Sequence, residues 1–158
     1  AALVAAVTEA LDGSRTVADL FSGCGTLALP LAAEASVHAV EAEAAALSAL
    51  DAAARAAPGL RAVTTERRDL FRRPLLAAEL RRFDGAVFDP PRAGAAALAG
   101  TLADAPLRRL CAVSCNPATF ARDARLLVDG GWRLDWVQPV DQFRWSPHVE
   151  LAAAFSRP

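Results

Sequence analysis

Short apolar runs of strand length alternate with stretches of helical periodicity along nearly the whole sequence, and few architectures can bury a chain patterned in this way. Thr16 to Phe21, Val37 to Val40, Leu60 to Arg67, Phe83 to Phe88 and Leu110 to Val113 read as strands. Between them, Ala42 to Ala56, Pro74 to Leu80, Ala95 to Leu102 and Pro117 to Asp129 read as helices, and the pattern Leu27, Leu29, Leu31 adds a helical stretch. Ala1 to Ala10 open the chain as half of an amphipathic helix, and Trp132 to Val137 and Leu151 to Phe155 supply two final strands. Such alternation predicts a doubly wound α/β sheet with helices on both faces. On the helix from Pro117, the residues Phe120, Ala124, Leu127 and Val128 fall on one face. Arg122, Asp123, Arg125 and Asp129 are placed off it, and Gly130-Gly131 stop the helix.

With 158 residues, 54% of them hydrophobic, the chain is expected to form one domain with a substantial core. Charges, glycine or proline interrupt every apolar stretch before it reaches membrane-spanning length. The first ten residues lack the basic region and cleavage site of a signal peptide, so a cytoplasmic location is expected. Cysteines at 24, 111 and 115 cannot all pair, and no Cys/His cluster offers a metal site, so free thiols and no metal are expected. All 17 basic residues are arginine. Six of them, Arg67, Arg68, Arg72, Arg73, Arg81 and Arg82, crowd one segment that reads either as an RNA-facing edge or as a solvated face balanced by Glu66, Asp69, Glu79 and Asp84.

The first strand runs into Ser22-Gly23-Cys24-Gly25-Thr26, a strand–glycine loop–helix order that begins a nucleotide-binding unit. Gly23-x-Gly25 matches the dinucleotide fingerprint only in part, because Ala28 stands where the third glycine belongs. Glu41 ends the second strand about twenty residues beyond Asp19, where a carboxylate accepts hydrogen bonds from ribose hydroxyls; the lesser alternative is that it complements a helix dipole. Asp69 reads as a ligand contact or as an N-cap. Asp89-Pro90-Pro91-Arg92 forms a stiff loop at a strand's carboxyl end, where open α/β sheets bind their ligands.

Ser114-Cys115-Asn116-Pro117 places a thiol between a strand and a helix. Asn116 suits the N-cap and Pro117 the first helical position. Unpaired N–H groups and the helix dipole favour a thiolate at Cys115, which makes it the candidate nucleophile; the alternative is a small buried apolar residue.

Three motifs in order, Asp89-Pro90-Pro91-Arg92-x-Gly94, Ser114-Cys115-Asn116-Pro117-x-Thr119 and Asp141-x-Phe143-x-x-Ser146-x-His148-Val149-Glu150, resemble the RNA (uracil-5-)-methyltransferase family. The resemblance runs from Val17 onward, with departures at Thr26, Ala112 and Arg144. It implies a Rossmann-like class I methyltransferase sheet of seven strands, mostly parallel, with the last strand antiparallel. It implies S-adenosylmethionine as cofactor, with contacts at Phe21, Gly23, Gly25, Thr26, Glu41, Asp69 and Asp89. It also implies that the sequence corresponds to the family's catalytic domain, without its N-terminal RNA-binding and central domains. Methyl transfer to carbon 5 of a uridine in RNA, 23S rRNA ahead of tRNA, is the implied reaction, with Cys115 attacking carbon 6 and Glu150 removing the carbon-5 proton. His148 is assigned no catalytic duty; Arg92 either pairs with phosphate or holds its loop. Phe143 and Trp145 read equally as stacking partners for an extruded base and as core. A monomer with no membrane partner is expected. Three rivals stand beside this reading: an exocyclic amino-group methyltransferase, a nicotinamide-dependent oxidoreductase and a noncatalytic RNA-binding module.

Overall fold

The computed structural model describes residues 2–140 and 149–158. Its elements follow in the order α1 (Ala2–Ala10), β1 (Thr16–Leu20), α2 (Ala28–Leu31), β2 (Ser36–Glu41), α3 (Ala44–Ala56), β3 (Val63–Arg67), α4 (Ala77–Leu80), β4 (Gly85–Phe88), α5 (Ala96–Ala103), β5 (Arg109–Ser114), α6 (Pro117–Asp129), β6 (Arg133–Val140) and β7 (Glu150–Ser156). The seven strands form one sheet in the order β3-β2-β1-β4-β5-β7-β6. β1 to β5 pair in parallel, and β7 runs antiparallel to both β5 and β6. This is the expected doubly wound, Rossmann-like methyltransferase sheet, with its last strand reversed.

Alternate residues of the central strands feed two cores. Leu20, Phe88, Leu110 and Phe155 pack on one face with Leu98, Leu102 and Leu127 from α5 and α6. Val17, Val87, Cys111 and Val113 pack on the other with Val7, Leu31 and Leu50 from α1, α2 and α3. Burial on both sides explains why β4 is apolar throughout, and exposure explains why β6 is not. Pro139 is tolerated in β6 because that strand lies at an edge of the sheet.

Three local differences from the sequence reading have physical causes. α3 starts at Ala44 rather than Ala42 because the Glu41 carboxylate binds the N–H groups of Ala42 and Glu43 and holds them outside the helix. α4 starts at Ala77 rather than Pro74, with Glu79 accepting from the Leu76 N–H at 2.8 Å. On α6, Val128 is exposed and Asp123 is buried, the reverse of the expected assignment. The Asp123 carboxylate accepts from the Ala95 N–H at 2.7 Å and pairs with Arg122 at 2.8 Å. Those partners offset the desolvation of its charge. Among the described residues no helix is long and apolar enough to cross a membrane.

Candidate active site

β1 and β4 are adjacent and parallel, yet the chain leaves them towards opposite edges of the sheet, so a crevice opens at their carboxyl ends. A cleft of about 410 Å³ lies there, lined by Phe21, Glu41, Asp69, Phe71, Asp89 and Pro90 among others. Phe21, Glu41, Asp69 and Asp89, each named from the sequence, therefore share one cavity. Gly23 joins them through its N–H, which donates to Glu41 Oε2 at 3.0 Å, while Oε1 of the same carboxylate receives Ala42 and Glu43. Glu41 thus ties the glycine loop to the entry of α3. Oε1 accepts from two N–H groups and is full, while Oε2 accepts from one and retains capacity for a hydroxyl.

Backbone conformation in the loop is constrained. Phe21 has φ 66°, uncommon for a bulky residue, and Gly25 has φ 95° with Leu50 Cδ1 only 2.4 Å from where a Cβ would stand. Gly25 is therefore required by its conformation and by the packing of α3. Gly25, Thr26, Cys115 and Glu150 do not line the cleft itself. Asp69 receives the N–H groups of Phe71 and Arg72 at 3.0 and 3.3 Å, in the manner of a cap, although no helix follows directly. The turn it closes carries Phe71, whose ring lies 5.2 Å from that of Phe21.

Below the cleft, Asp19 is fully buried in β1, and neither carboxylate oxygen has a hydrogen-bond partner; Ser22 Oγ also lacks one. Burial, then the neighbouring charge of Asp89, pushes Asp19 up to about 7, with Glu41 adding to the rise and the nearby Ala28 N–H opposing it. Asp89 is pushed up to about 6 by burial and then by Glu150. Carboxylates crowded in this way favour a cationic ligand. The methyl donor implied by the sequence carries an ammonium and a sulfonium, and the residues present fit it. Sequence reasoning missed Asp19, although a lone carboxylate within a strand buried on both faces was the available signal.

The two later motifs are laced together. Asn116 caps α6 by accepting from the Ala118 N–H at 3.1 Å, and its Nδ2 donates to the Arg92 carbonyl at 3.1 Å. Thr119 Oγ1 donates to the same carbonyl at 3.1 Å, and Arg122 donates to the Ala93 carbonyl at 3.0 Å. Gly94, at φ 71°, lets Arg122, Asp123 and Thr119 come within 3.0 Å of where a Cβ would stand. The Arg92 backbone is thus one of the ties that hold this loop.

Cys115 follows β5 directly and is half-buried, within a turn closed by Ser114 Oγ and the Asn116 N–H at 3.1 Å. β5 and β7 pair from Arg109↔Ser156 to Ser114↔Leu151, so Cys115 and Glu150 each stand one residue outside the last pair, Cys115 in the bend that ends β5 and Glu150 at the start of β7. Glu150 is buried at the start of β7. Cys111 lies in the core, where burial pushes its thiol up to about 12, and Cys24 is exposed. Phe143, Trp145 and His148 lie outside the described residues.

A family model described as tRNA (Uracil-5-)-methyltransferase matches residues 3–157. An uncharacterized RNA methyltransferase of Mesorhizobium japonicum is 58% identical over 94% of this chain and 36% of its own length. The 23S rRNA (uracil(1939)-C(5))-methyltransferase of Chromohalobacter salexigens is 39% identical over 92% of this chain and 30% of its own length. The crystal structure of Pyrococcus abyssi tRNA (uracil-54, C5)-methyltransferase, in complex with S-adenosyl-L-homocysteine, superposes with a TM-score of 0.84 at 31% identity. That match covers 98% of this chain and 37% of the other. The chain spans about a third of the length of these relatives.

Proposed function

Because the chain belongs to the tRNA (uracil-5-)-methyltransferase family, we propose that it carries the catalytic chemistry of S-adenosylmethionine-dependent methylation at carbon 5 of a uridine in RNA. The observation that supports this reading is the pairing of β5 with β7, which ends at Ser114↔Leu151 with a half-buried thiol just beyond the one strand and a buried carboxylate at the start of the other. An amino-group methyltransferase needs neither of those groups, and a nicotinamide-dependent oxidoreductase leaves both idle.

Carbon 5 of uracil is too weak a nucleophile to attack a methyl donor unaided. Cys115 Sγ adds as thiolate to carbon 6, forming an S–C bond and moving an electron pair into an enolate that makes carbon 5 nucleophilic. S-adenosylmethionine, when bound, supplies the electrophilic methyl group that carbon 5 accepts. Glu150 then removes the proton remaining on carbon 5, and the electron pair expels Cys115 as thiolate, restoring the ring double bond. Glu41 Oε2 offers an acceptor to a ribose hydroxyl of the donor, and Asp19 and Asp89 supply negative charge opposite its cationic end. The Asn116–Arg92 and Thr119–Arg92 bonds keep the thiol's turn and the Asp89 loop in fixed relation. Ribosomal RNA is the favoured substrate over transfer RNA, on the similarity to the Chromohalobacter enzyme.

The test is to mix the chain, labelled methyl donor and uridine-containing RNA, digest the product and identify the modified nucleoside. 5-Methyluridine, lost in Cys115→Ala, supports the proposal; an N-methylated base, or a product that survives Cys115→Ala, contradicts it.

A further inference from the structure

Between Arg67 and Arg82 six arginines face four nearby carboxylates, and the fold decides how those charges pair. Arg68 takes two of the four, with Nε 2.6 Å from Glu66 and Nη2 2.7 Å from Glu79. Its guanidinium, first among several causes, holds the Glu79 carboxyl down at about 2. Asp84 is occupied by the N–H groups of Arg15 and Thr16. Asp69 is occupied by its own turn and by Arg72 at 3.5 Å. Arg67, Arg73, Arg81 and Arg82 are exposed and in no ion pair among the described residues; Arg67 donates to the Ala42 carbonyl, and Arg82 lies over the Phe83 ring at 4.8 Å with its charge also bearing on Glu79. A balanced solvated face is therefore not what this segment forms.

The segment is also pinned. Leu70, Leu75 and Leu80 are each buried in the core, so the residues between them project outward from a fixed backbone. Leu76, 61% exposed, sits between Arg73 and Arg81, and Phe71, 51% exposed, precedes them. Cations interleaved with exposed apolar and aromatic side chains suit a nucleic-acid strand better than bulk water. Arg68, Asp69, Leu70 and Phe71 line the candidate cofactor cleft, so the Arg73 end of the patch stands next to it, while Arg81 and Arg82 lie towards the amino end of β4. Cys115 follows the carboxyl end of β5, four strand steps or about 19 Å at about 4.8 Å each from β3, and Arg81 and Arg82 stand at the amino end of β4, so the patch does not contact the reacting base.

We propose that Arg73, Arg81 and Arg82 form a phosphate-contacting surface for single-stranded RNA flanking the target uridine. This inference rests on the function proposed above. Contacts of this kind position the strand and carry no sequence information.

The experiment measures binding of a fluorescein-labelled oligouridylate by anisotropy over a salt series, for the unaltered chain and for the combined Arg73→Gln, Arg81→Gln, Arg82→Gln variant. Each single-strand phosphate contact contributes about 0.7 to the slope of log affinity against log salt, so the triple variant should lose about 2. S-adenosylhomocysteine binding by calorimetry should stay unchanged. Should the triple variant fail to fold, Arg73→Gln alone should lose about 0.7 of the slope. An unchanged slope overturns the inference, as does weaker binding to phosphatidylserine vesicles with RNA binding intact, which would assign the patch to a membrane surface. Failure of the underlying function reads out separately, as absence of 5-methyluridine from the unaltered chain.

Discussion

The two ends of β4 each present an aspartate, and the protein treats them in opposite ways. At the amino end, Asp84 accepts from the N–H groups of Arg15 and Thr16 and from Thr16 Oγ1 at 2.9–3.2 Å. Partial burial pushes it up, but the N–H groups of Thr16 and Arg15 outweigh that and hold its carboxyl below the ordinary value. At the carboxyl end, Asp89 and its neighbour Asp19 are raised, and the Asp19 carboxylate makes no well-formed hydrogen bond, with only the Ala28 N–H nearby to oppose the rise. The groove at the Asp84 end is the larger, about 900 Å³, but two of the aspartates lining it are already engaged: Arg133 binds Asp135 and Ser156, and Asp84 binds β1. Volume alone is therefore a poor guide to the site. A buried polar group left without a well-formed partner costs stability, so its retention at this end and not the other calls for an explanation.

The sharpest way to break this contrast is at the thiol. Cys115→Ala should lower methyl transfer on the order of 10⁴-fold or more, as loss of a nucleophile generally does. Asp84→Asn should leave the rate per folded molecule unchanged, both read from 5-methyluridine formed. Glu150→Gln should slow turnover by about 10²–10⁴-fold and leave RNA attached to protein on a denaturing gel, because the carbon-5 proton stays in place. A slow variant with no attached RNA would remove Glu150 from the base role.

Smaller effects separate the ends by stability. Asp84→Ala strips the acceptor from two N–H groups and a hydroxyl, and should cost about 1–3 kcal/mol, seen as a lower urea midpoint. At the other end the sign depends on pH. Asp19 and Asp89 hold protons more tightly when folded than when unfolded, so their contribution to stability is fully present below about pH 4. It is lost as pH rises through about 6 for Asp89 and about 7 for Asp19. Asp19→Asn should therefore flatten the fall in stability between about pH 4 and about pH 7, and a steeper fall would contradict the assignment.

Much of the site was legible because local rules and fold agreed. Asn116 and Pro117 fixed the start of α6, and the helix ends at Asp129 as the glycines indicate. Phe21, Glu41, Asp69 and Asp89 stand at strand ends or just beyond them, where strand order alone sets the ligand crevice. Asp123 was misplaced because its charge was taken as a sign of exposure. At about 100° per residue it lies about 60° from Phe120, nearer than Val128 at about 80°, so its angular position already favoured burial. Its partner, the Ala95 N–H, is 28 residues away in sequence, and no local pattern announces that bond. Arg68 is similar: its pairing with Glu66 and Glu79, which leaves the outer arginines unmatched, arises only when α4 docks beside β3.

Trapping on RNA that carries 5-fluorouridine tests the central claim most directly, since fluorine at carbon 5 cannot leave as a proton. With the methyl donor present, intact mass should show one RNA–protein adduct, and fragmentation of the tryptic peptide 110–122 should place it on Cys115 rather than Cys111. An adduct on Cys111 or Cys24, or 5-methyluridine formed from ordinary RNA while no adduct ever accumulates on the fluorinated one, would contradict the account.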